Sequence, residues 1–145
     1  MIRRGCYNPK AFKDPNWEPK VIRRKRAQPE QALQRAVVNY LALCVGKPPF
    51  GPAWTARNPV SFKSRIVAGI SQRMGMKPGW PDLDLVWQGR YYGVELKAPK
   101  GRVSEAQNEA IVEIGKASGI VFICRSLNEF KQILAVIGVL TKEVA

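Results

Sequence analysis

Apolar positions change their spacing several times along the chain, and each spacing predicts a different element. From Pro29 onward, apolar residues recur at steps of three and four, as they do on one face of a helix. The pattern ends near Val45 and Gly46, and Pro29 suits a first helical turn. The predicted apolar face of this helix consists of Leu33, Val37, Tyr40, Leu41 and Cys44.

Gly and Pro interrupt the pattern after this helix. Residues 46–59, GKPPFGPAWTARNP, predict a surface loop that is too polar to join a core. A second, weaker helix is predicted from Ser64 to Met74. Its apolar positions are Ile66, Val67, Ile70 and Met74.

Alternation of Leu83, Leu85 and Trp87 with Asp82, Asp84 and Val86 predicts the first strand of a β-hairpin in the middle of the chain. Residues 82–87 form its first strand, and Gln88 and Gly89 suit a two-residue turn. On the return strand, Tyr92, Val94 and Leu96 face one side, and Gly93, Glu95 and Lys97 face the other.

The turn fixes the pairing of the two strands. Trp87 pairs with Arg90, and counting back places Asp82 opposite Glu95. Cross-strand partners lie about 4.5 to 5.5 Å apart. Two carboxylates at that distance on one face repel each other unless a cation lies between them.

The last third of the chain predicts helix, strand and helix. Ser104 and Gln107 form an S-x-x-Q capping box, which begins a helix that Gly119 ends. The continuously apolar run 120–124 predicts a buried central strand. Ser126 and Glu129 repeat the capping pattern before a final helix, whose predicted core side is Leu127, Phe130, Ile133, Leu134, Ile137 and Leu140. This order of elements predicts an α/β fold, a mixed β-sheet flanked by helices.

Composition narrows the chemistry. The 145 residues include no histidine, which excludes His-dependent triads and most zinc hydrolases. Cys6, Cys44 and Cys124 are far apart and form no C-x-x-C motif, as expected of free thiols. Any metal would therefore be held by oxygen atoms, which favours magnesium or manganese.

The formal net charge of +13 predicts a polyanionic partner, most simply nucleic acid. Residues 1–26 carry nine Lys or Arg against Asp14 and Glu18, a net charge of +7. We interpret residues 1–28 as a basic N-terminal arm and residues 29–145 as one folded domain. A solvated tail is an equally good interpretation of the arm.

No apolar run is long enough for a membrane span, and the first residues lack the apolar stretch of a signal peptide. These features predict a cytoplasmic protein without a membrane partner. Such a protein could be encoded by a phage.

Several of these residues together resemble a known family. Pro81-Asp82 followed by Glu95-Leu96-Lys97 resembles the PD-(D/E)xK nuclease superfamily. The wider strings PEQALQ, GMKPGWPDLDLV and GVELKAPKGRVSEAQ resemble one branch of it, the VRR-Nuc (virus-type replication-repair nuclease) domain, over roughly residues 29–140. The resemblance implies a restriction-endonuclease-like core.

The resemblance also implies site residues. Glu30, Asp82, Glu95 and the backbone carbonyl of Leu96 would hold one or two Mg²⁺ (or Mn²⁺) ions. Asp82, Glu95 and Lys97 would be catalytic, with Lys97 orienting or helping to deprotonate the attacking water.

Simpler roles remain open for some of these residues. The simpler role of Glu30 is to complement the helix dipole, and that of Lys97 is to neutralise Glu95 in a structural ion pair. Gln107, with Ser104, could support the active site or serve the capping box alone. We expect Asp84 to be a supporting or surface acid, because Pro-Asp is the motif position.

Basic residues outside the motif are expected to contact DNA phosphates without reading sequence. No zinc finger or other base-reading module is present in the sequence, which favours recognition of DNA shape. The candidate DNA-binding residues are Arg23, Arg24, Lys25, Arg26, Lys63, Arg65, Arg73, Lys100 and Arg102.

The expected function is that of a Mg²⁺-dependent, structure-specific DNA endonuclease, a resolvase of Holliday (four-way) junctions acting as a homodimer. The alternatives are a non-catalytic basic DNA-binding protein, a flap or other branched-DNA nuclease, and a sequence-specific restriction-type enzyme. The apolar residues expected to supply a dimer contact are Phe50, Trp54, Ile133, Val136, Ile137, Val139 and Leu140.

Overall fold

A computed structural model describes residues 29–57 and 65–142, with the side chains of 65–68 excepted. The predicted basic arm, Lys63 and the side chain of Arg65 therefore lie outside the described residues. The elements follow the order α1 (Pro29–Cys44), β1 (Ala53–Ala56), α2 (Arg65–Arg73), β2 (Leu83–Trp87), β3 (Arg90–Leu96), α3 (Glu105–Lys116), β4 (Ile120–Cys124) and α4 (Leu127–Val136).

The four strands form one mixed sheet in the order β1-β2-β3-β4. β1 and β3 each pair with β2 in antiparallel fashion, and β4 pairs with β3 in parallel. A parallel pair needs a crossover connection, and α3 provides it. The predicted α/β fold with a mixed sheet flanked by helices is confirmed.

The hairpin turn has the backbone that its sequence predicts. Gln88 has φ of 50° and Gly89 has φ of 74°, the two positive angles that a twisted two-residue hairpin turn requires. Trp87 therefore pairs with Arg90, as predicted, and the ladder continues to Leu83 opposite Val94. The register brings Asp82 and Glu95 to the same end of the hairpin.

One face of the sheet carries the main core. Helices α1 and α4 cover this face, and the alternating apolar residues of β2 and β3 point into it. The predicted apolar face of α1 is confirmed, with Leu33 and Tyr40 half-buried at its edge. The most buried members are Val37, Leu41, Leu83, Leu85, Val94, Phe130 and Leu134.

Helix α3 begins at its predicted capping box and buries Ala110 and Ile114. Its first turn lies at the Glu95 side of β3, because the Gln107 side chain bonds to Glu95. Glu95 and the core residue Val94 are neighbours in a strand, so they point to opposite faces. The functional residues of the hairpin therefore face α3 rather than the main core.

Strand β1 lies within the segment predicted to be a loop, so that prediction was wrong. Ala53 pairs with Val86 and Ala56 with Leu83, and Trp54 packs against the core. The Gly and Pro residues of this segment lie before Ala53, and they do not prevent a strand from forming after them. A short edge strand tolerates such flanks because one side of it needs no hydrogen-bonded partner.

Strand β4 is an edge strand of the sheet in the described residues, not the predicted central strand. Ile120 is 40% exposed, and Cys124 at the other end is buried. Contacts from α3 and α4 to this strand explain its continuous apolar sequence. An edge strand contacted by two helices has the same composition as a central one.

The last helix is shorter than predicted. Ser126 caps it by accepting from the Glu129 N–H, while the Glu129 carboxylate accepts from Arg125, so the second capping box is incomplete. Helix α4 ends at Val136, and Gly138 beyond it has a φ of 78°. The residues after Gly138 therefore do not continue the helical face that the apolar spacing predicted. Leu140 is 84% exposed, so its predicted core position is wrong.

The other predicted apolar positions divide between core and surface. Ile133, Ile137 and Val139 are buried within the monomer and are not available for a dimer contact. Ile70 and Met74, predicted on the apolar face of α2, are exposed. In the part of the chain that the structure describes, no helix has the length and hydropathy of a membrane span.

Candidate active site

Two carboxyl groups meet where the hairpin ends. Asp82 immediately precedes β2, and Glu95 lies near the end of β3 with 3% of its surface exposed. Besides burial, the charge of Asp82 raises the pKa of Glu95, and the register, with Leu83 opposite Val94, places the two residues at the same end of the hairpin. A charged side chain this deeply buried needs a compensating partner, because transfer of an unpaired charge from water is costly.

Lys97 is the nearest compensating partner. Its ammonium Nζ lies 3.0 Å from Oε1 of Glu95, and its side chain is itself largely buried. The predicted Asp82, Glu95 and Lys97 are therefore brought together in one cluster. The ion pair with Glu95 was the simpler alternative for Lys97, and it does form.

Backbone hydrogen bonds hold Asp82 in position. Its Oδ2 accepts from the Leu96 N–H at 2.9 Å, and its carbonyl accepts from the Arg57 N–H at 2.7 Å. The amide of Gln34 donates to the Arg57 carbonyl at 2.7 Å, which extends the connection to α1. The position of this carboxylate depends on three elements that are distant in sequence.

Burial dominates the proton affinity of the pair. Desolvation, and then the charge of Asp82, raise the pKa of Glu95 to about 7 against the opposing effect of Lys97. Desolvation also raises the pKa of Asp82, while the Leu96 N–H and Lys97 oppose the change. Without an additional cation the pair is held in an environment that disfavours two full negative charges.

Gln107 contacts both the helix cap and Glu95. Its Oε1 accepts from the Ser104 N–H at 2.8 Å, which completes the capping box of α3. Its amide nitrogen donates to Oε1 of Glu95. The Ser104 hydroxyl accepts from the Gln107 N–H at 3.3 Å, so Ser104 acts through the helix cap.

Glu30 lies at the edge of this cluster. It is exposed in the first turn of α1, and its Oε1 accepts from the Ala98 N–H at 3.3 Å. Its charge contributes to the raised pKa values of Asp82 and Glu95. Within residues 29–57 and 65–142, no group of three or more His, Cys, Asp or Glu side chains is arranged to hold a metal ion.

Asp84 belongs to a different network. It forms an ion pair with Arg57 at 3.2 Å and accepts a hydrogen bond from the Tyr91 hydroxyl. These partners account for the acid without a metal, as expected for a supporting residue. Arg57 was missed because the strand that ends beside it was interpreted as loop.

Close packing joins the Asp82 segment to α3. A Cβ atom on Gly79 would collide with the carbonyl oxygen of Ala106, and its φ of 75° favours glycine. A Cβ on Gly93 would lie 2.6 Å from Cγ of Pro81. The segment before Asp82 therefore fits directly between the first turn of α3 and the sheet.

The candidate DNA-binding residues within the described chain are Arg73, Lys100 and Arg102, and all three are exposed. The structure adds two arginines that were not predicted. Arg35 and Arg57 line a cleft of about 400 Å³ together with Gln31, Gln34 and Asn39. This cleft adjoins the active-site cluster through the bond from Arg57 to Asp82.

Comparisons with known proteins bear on the family and the fold of the chain. A family model described as the VRR-NUC domain matches residues 51–128, more than half of the chain. A solved structure described as "VRR_NUC domain protein" aligns with a TM-score of 0.63 at 19% identity, covering 79% of this chain and 91% of the other. No curated protein sequence matches the chain significantly.

Proposed function

The chain belongs to the VRR-NUC domain family, a family of nucleases, and on this premise we propose that it is a metal-dependent, structure-specific DNA endonuclease. The observation that carries the proposal is the cluster of Asp82, Glu95 and Lys97 at the end of the hairpin. It combines two carboxylates with a buried ammonium group, and its location beside a basic cleft suits a phosphodiester substrate.

The donor set fits a hard divalent cation. Glu95 supplies a buried carboxylate and Asp82 a half-buried one, and desolvation raises the pKa of both groups. These two residues and the carbonyl of Leu96 would hold Mg²⁺ or Mn²⁺, with Glu30 contributing from the edge. When bound, such an ion lowers the pKa of a water ligand and neutralises charge on the scissile phosphate.

The remaining residues orient this chemistry. Lys97 donates to Glu95, and its positive charge would offset the negative charge that develops on the phosphate during attack. Gln107 holds the Glu95 carboxylate from the α3 side, and the Leu96 N–H holds Asp82. Such contacts keep both carboxylates in one orientation before substrate binds.

The finer proposal is cleavage of four-way DNA junctions by a homodimer. Two symmetric cuts across a junction require two active sites, and a two-fold dimer supplies them most simply. Several exposed apolar side chains could supply the dimer contact. The segments after α1 and α4 lie side by side, because Val45 bridges to Thr141 and Phe50 lies against Gly46. These exposed residues are Leu43, Phe50, Val136 and Leu140.

The proposal is tested with four-way junction, flap and linear duplex DNAs of matched sequence, each with Mg²⁺, with Ca²⁺ and with excess EDTA. We expect Mg²⁺ to support cleavage of the junction at symmetric positions, and EDTA to abolish it. Binding without cleavage under every condition would favour the non-catalytic alternative. Faster cleavage of flaps than of junctions would favour the branched-DNA alternative.

The oligomeric state is tested separately by light scattering at micromolar protein. We expect a dimer for the native chain and a monomer for Leu140→Asp, because a buried charge disfavours an apolar contact. Asn128→Asp is the matched control, since Asn128 is an exposed polar residue at the opposite end of α4 from Val136. The control variant should remain a dimer, and a monomeric native chain would contradict this part of the proposal.

A further inference from the structure

A second cavity lies on the α3 side of the hairpin, and it shares no lining residue with the basic cleft. Its volume is about 660 Å³, within the range of roughly 300–1,000 Å³ that is usual for sites that bind organic groups. Trp80 and Tyr91 provide its aromatic wall, and Ile114 and Gly119 line it from the α3 side. These four residues are separate from the Asp82–Glu95 pair.

The cavity and the active-site cluster share one face of β3. Tyr91, Gly93 and Glu95 alternate along the strand, so their side-chain directions are the same. Four residues of strand span roughly 13 Å. Pro81 lies over Gly93 between the two sites, and Trp80 precedes it directly.

Aromatic and positive groups surround this cavity. The Trp80 and Tyr91 rings lie 6.4 Å apart at 49°. The Arg57 guanidinium lies 5.6 Å from the Trp80 ring centroid, and the Lys77 ammonium lies 6.0 Å from it. Arg90 adds a further positive charge at the wall.

Two acidic groups at the cavity are paired, Asp84 and the lining residue Glu113. Asp84 bonds to Arg57 and Tyr91, and Glu113 bonds to Lys77. A polyanion approaching this face therefore meets neutralised carboxylates and the additional cation Arg90. Flat aromatic side chains among cations are the groups that stack on the bases of unpaired nucleic acid strands.

We infer that the Trp80–Tyr91 cavity receives one unpaired nucleobase of the DNA strand whose phosphate lies at the Asp82–Glu95 pair. The inference rests on the proposed function and extends it to the substrate's structure. A stacked strand rises about 3.4 Å along the helix axis for each nucleotide, so a base about 13 Å away lies within about four nucleotides of the cut.

A base can enter the cavity only after leaving the duplex. Extracting a paired base requires it to unstack and unpair, and the cost is smallest where the base is already unpaired. The cavity would therefore favour DNA with unpaired residues beside the cut, as at a branch or flap. Recognition of branched DNA would then depend on the side chains of Trp80 and Tyr91.

The experiment uses the full chain and a series of four-way junction and flap DNAs. In each DNA one nucleoside within about four positions of the cut is replaced by an abasic residue. We expect one position at which the abasic residue slows cleavage by the native protein about fivefold to a hundredfold. Trp80→Leu should cleave intact DNA more slowly and be insensitive to the abasic residue at that position.

Comparing two DNAs on the same variant cancels any loss of folded protein. Trp80→Phe keeps a stacking surface and should keep the sensitivity. Tyr40→Leu is the matched control, because Lys131 lies 5.0 Å from the Tyr40 ring, which packs with the main core. This variant should retain the native response to the abasic residue.

Binding of the same DNAs in EDTA, followed by fluorescence anisotropy, separates the inference from the proposed function. A Trp80-dependent preference for the intact base without any cleavage would support the cavity and contradict the nuclease proposal. Equal responses to every abasic position, in cleavage and in binding, would overturn the inference. So would a Trp80→Leu variant that keeps the native sensitivity.

Discussion

At the scale of the residue, the most informative feature is a glutamate in a place where a glutamate is unfavourable. Glu95 is buried beside a second acid, and Lys97 and Gln107 offset that cost directly. Apolar residues of similar size would cost less free energy to bury. The proposed active site would account for this arrangement, because it requires two carboxyl groups and one ammonium group at one point.

Removing either charged partner should stop the reaction. We expect Glu95→Gln and Lys97→Met each to lower the cleavage rate at least about a hundredfold, the scale of a positioned catalytic group. Both changes keep the side-chain volume nearly constant, so DNA affinity in EDTA should change little. Asn108→Asp, an exposed change on α3, serves as the control, and rates near the native value for Glu95→Gln would refute the assignment.

The raised pKa of Glu95 predicts a pH-dependent stability in the absence of divalent cations. The folded state binds a proton more tightly than the unfolded state, whose Glu pKa is near 4.5. The free energy of unfolding should therefore fall as pH rises from about 4.5 through about 7. With allowance for screening by solvent, the loss should be roughly 2 kcal/mol.

Urea denaturation in EDTA between about pH 4 and pH 8 measures this effect. Glu95→Gln removes the titrating carboxyl group and should flatten the profile over that range. A native profile that rises over the same range would contradict the raised pKa. Added Mg²⁺ should restore much of the lost stability above about pH 7, because a ligand that binds only the folded state stabilises it.

At the scale of the element, the active site depends on the contact between the segment before β2 and the first turn of α3. Gly79 fits against Ala106, and Gln107 in the same turn reaches Glu95. The capping box thus fixes the beginning of a helix and orients a carboxylate at the same time. A change in this contact would alter both acids of the cluster.

Gly79→Ala tests this dependence. The added methyl group collides with backbone and demands a positive φ, so we expect a loss of at least about 1–3 kcal/mol in stability and a marked loss of cleavage. Gly115→Ala is the matched control, because a Cβ there meets no atom within 4 Å. Within a helix this control should gain up to roughly 0.5–1 kcal/mol. Equal stability of the two variants would contradict the packing argument.

At the scale of the whole molecule, positive charge is unevenly distributed along the sequence. The chain has a net charge of +13, and residues 1–26 contribute +7 of it. Such a segment suits phosphate contacts that depend on charge rather than on shape. The arginine-lined cleft beside α1 offers a second contact, and its residue Arg57 bonds to Asp82 of the candidate active site.

Deleting residues 1–26 should weaken DNA binding and reduce its dependence on salt. The slope of log K against log salt falls by about 0.9 for each phosphate contact that is lost. Anisotropy titrations at several salt concentrations measure it, and alanine at all four positions from Arg23 to Arg26 shows how much the basic cluster contributes. An unchanged slope would show that the arm is a solvated tail.

The sequence by itself determined the features that depend on near neighbours. The helix face from Leu33 to Cys44, the turn at Gln88 and Gly89, and the capping box of α3 each require only a few adjacent residues. The hairpin register follows from its turn, and so the meeting of Asp82 and Glu95 was predictable. Local geometry is enough for all of these.

Only the tertiary structure decided the features that depend on distant contacts. Strand β1 forms because it pairs with β2. The strand order puts β4 at the edge of the sheet, and Leu140 is exposed because α4 ends before it. The partners of Asp84 and the peripheral place of Glu30 also come from residues far away in sequence. The physical reason is that hydrogen bonds and burial between distant segments leave no periodic signal in either segment alone.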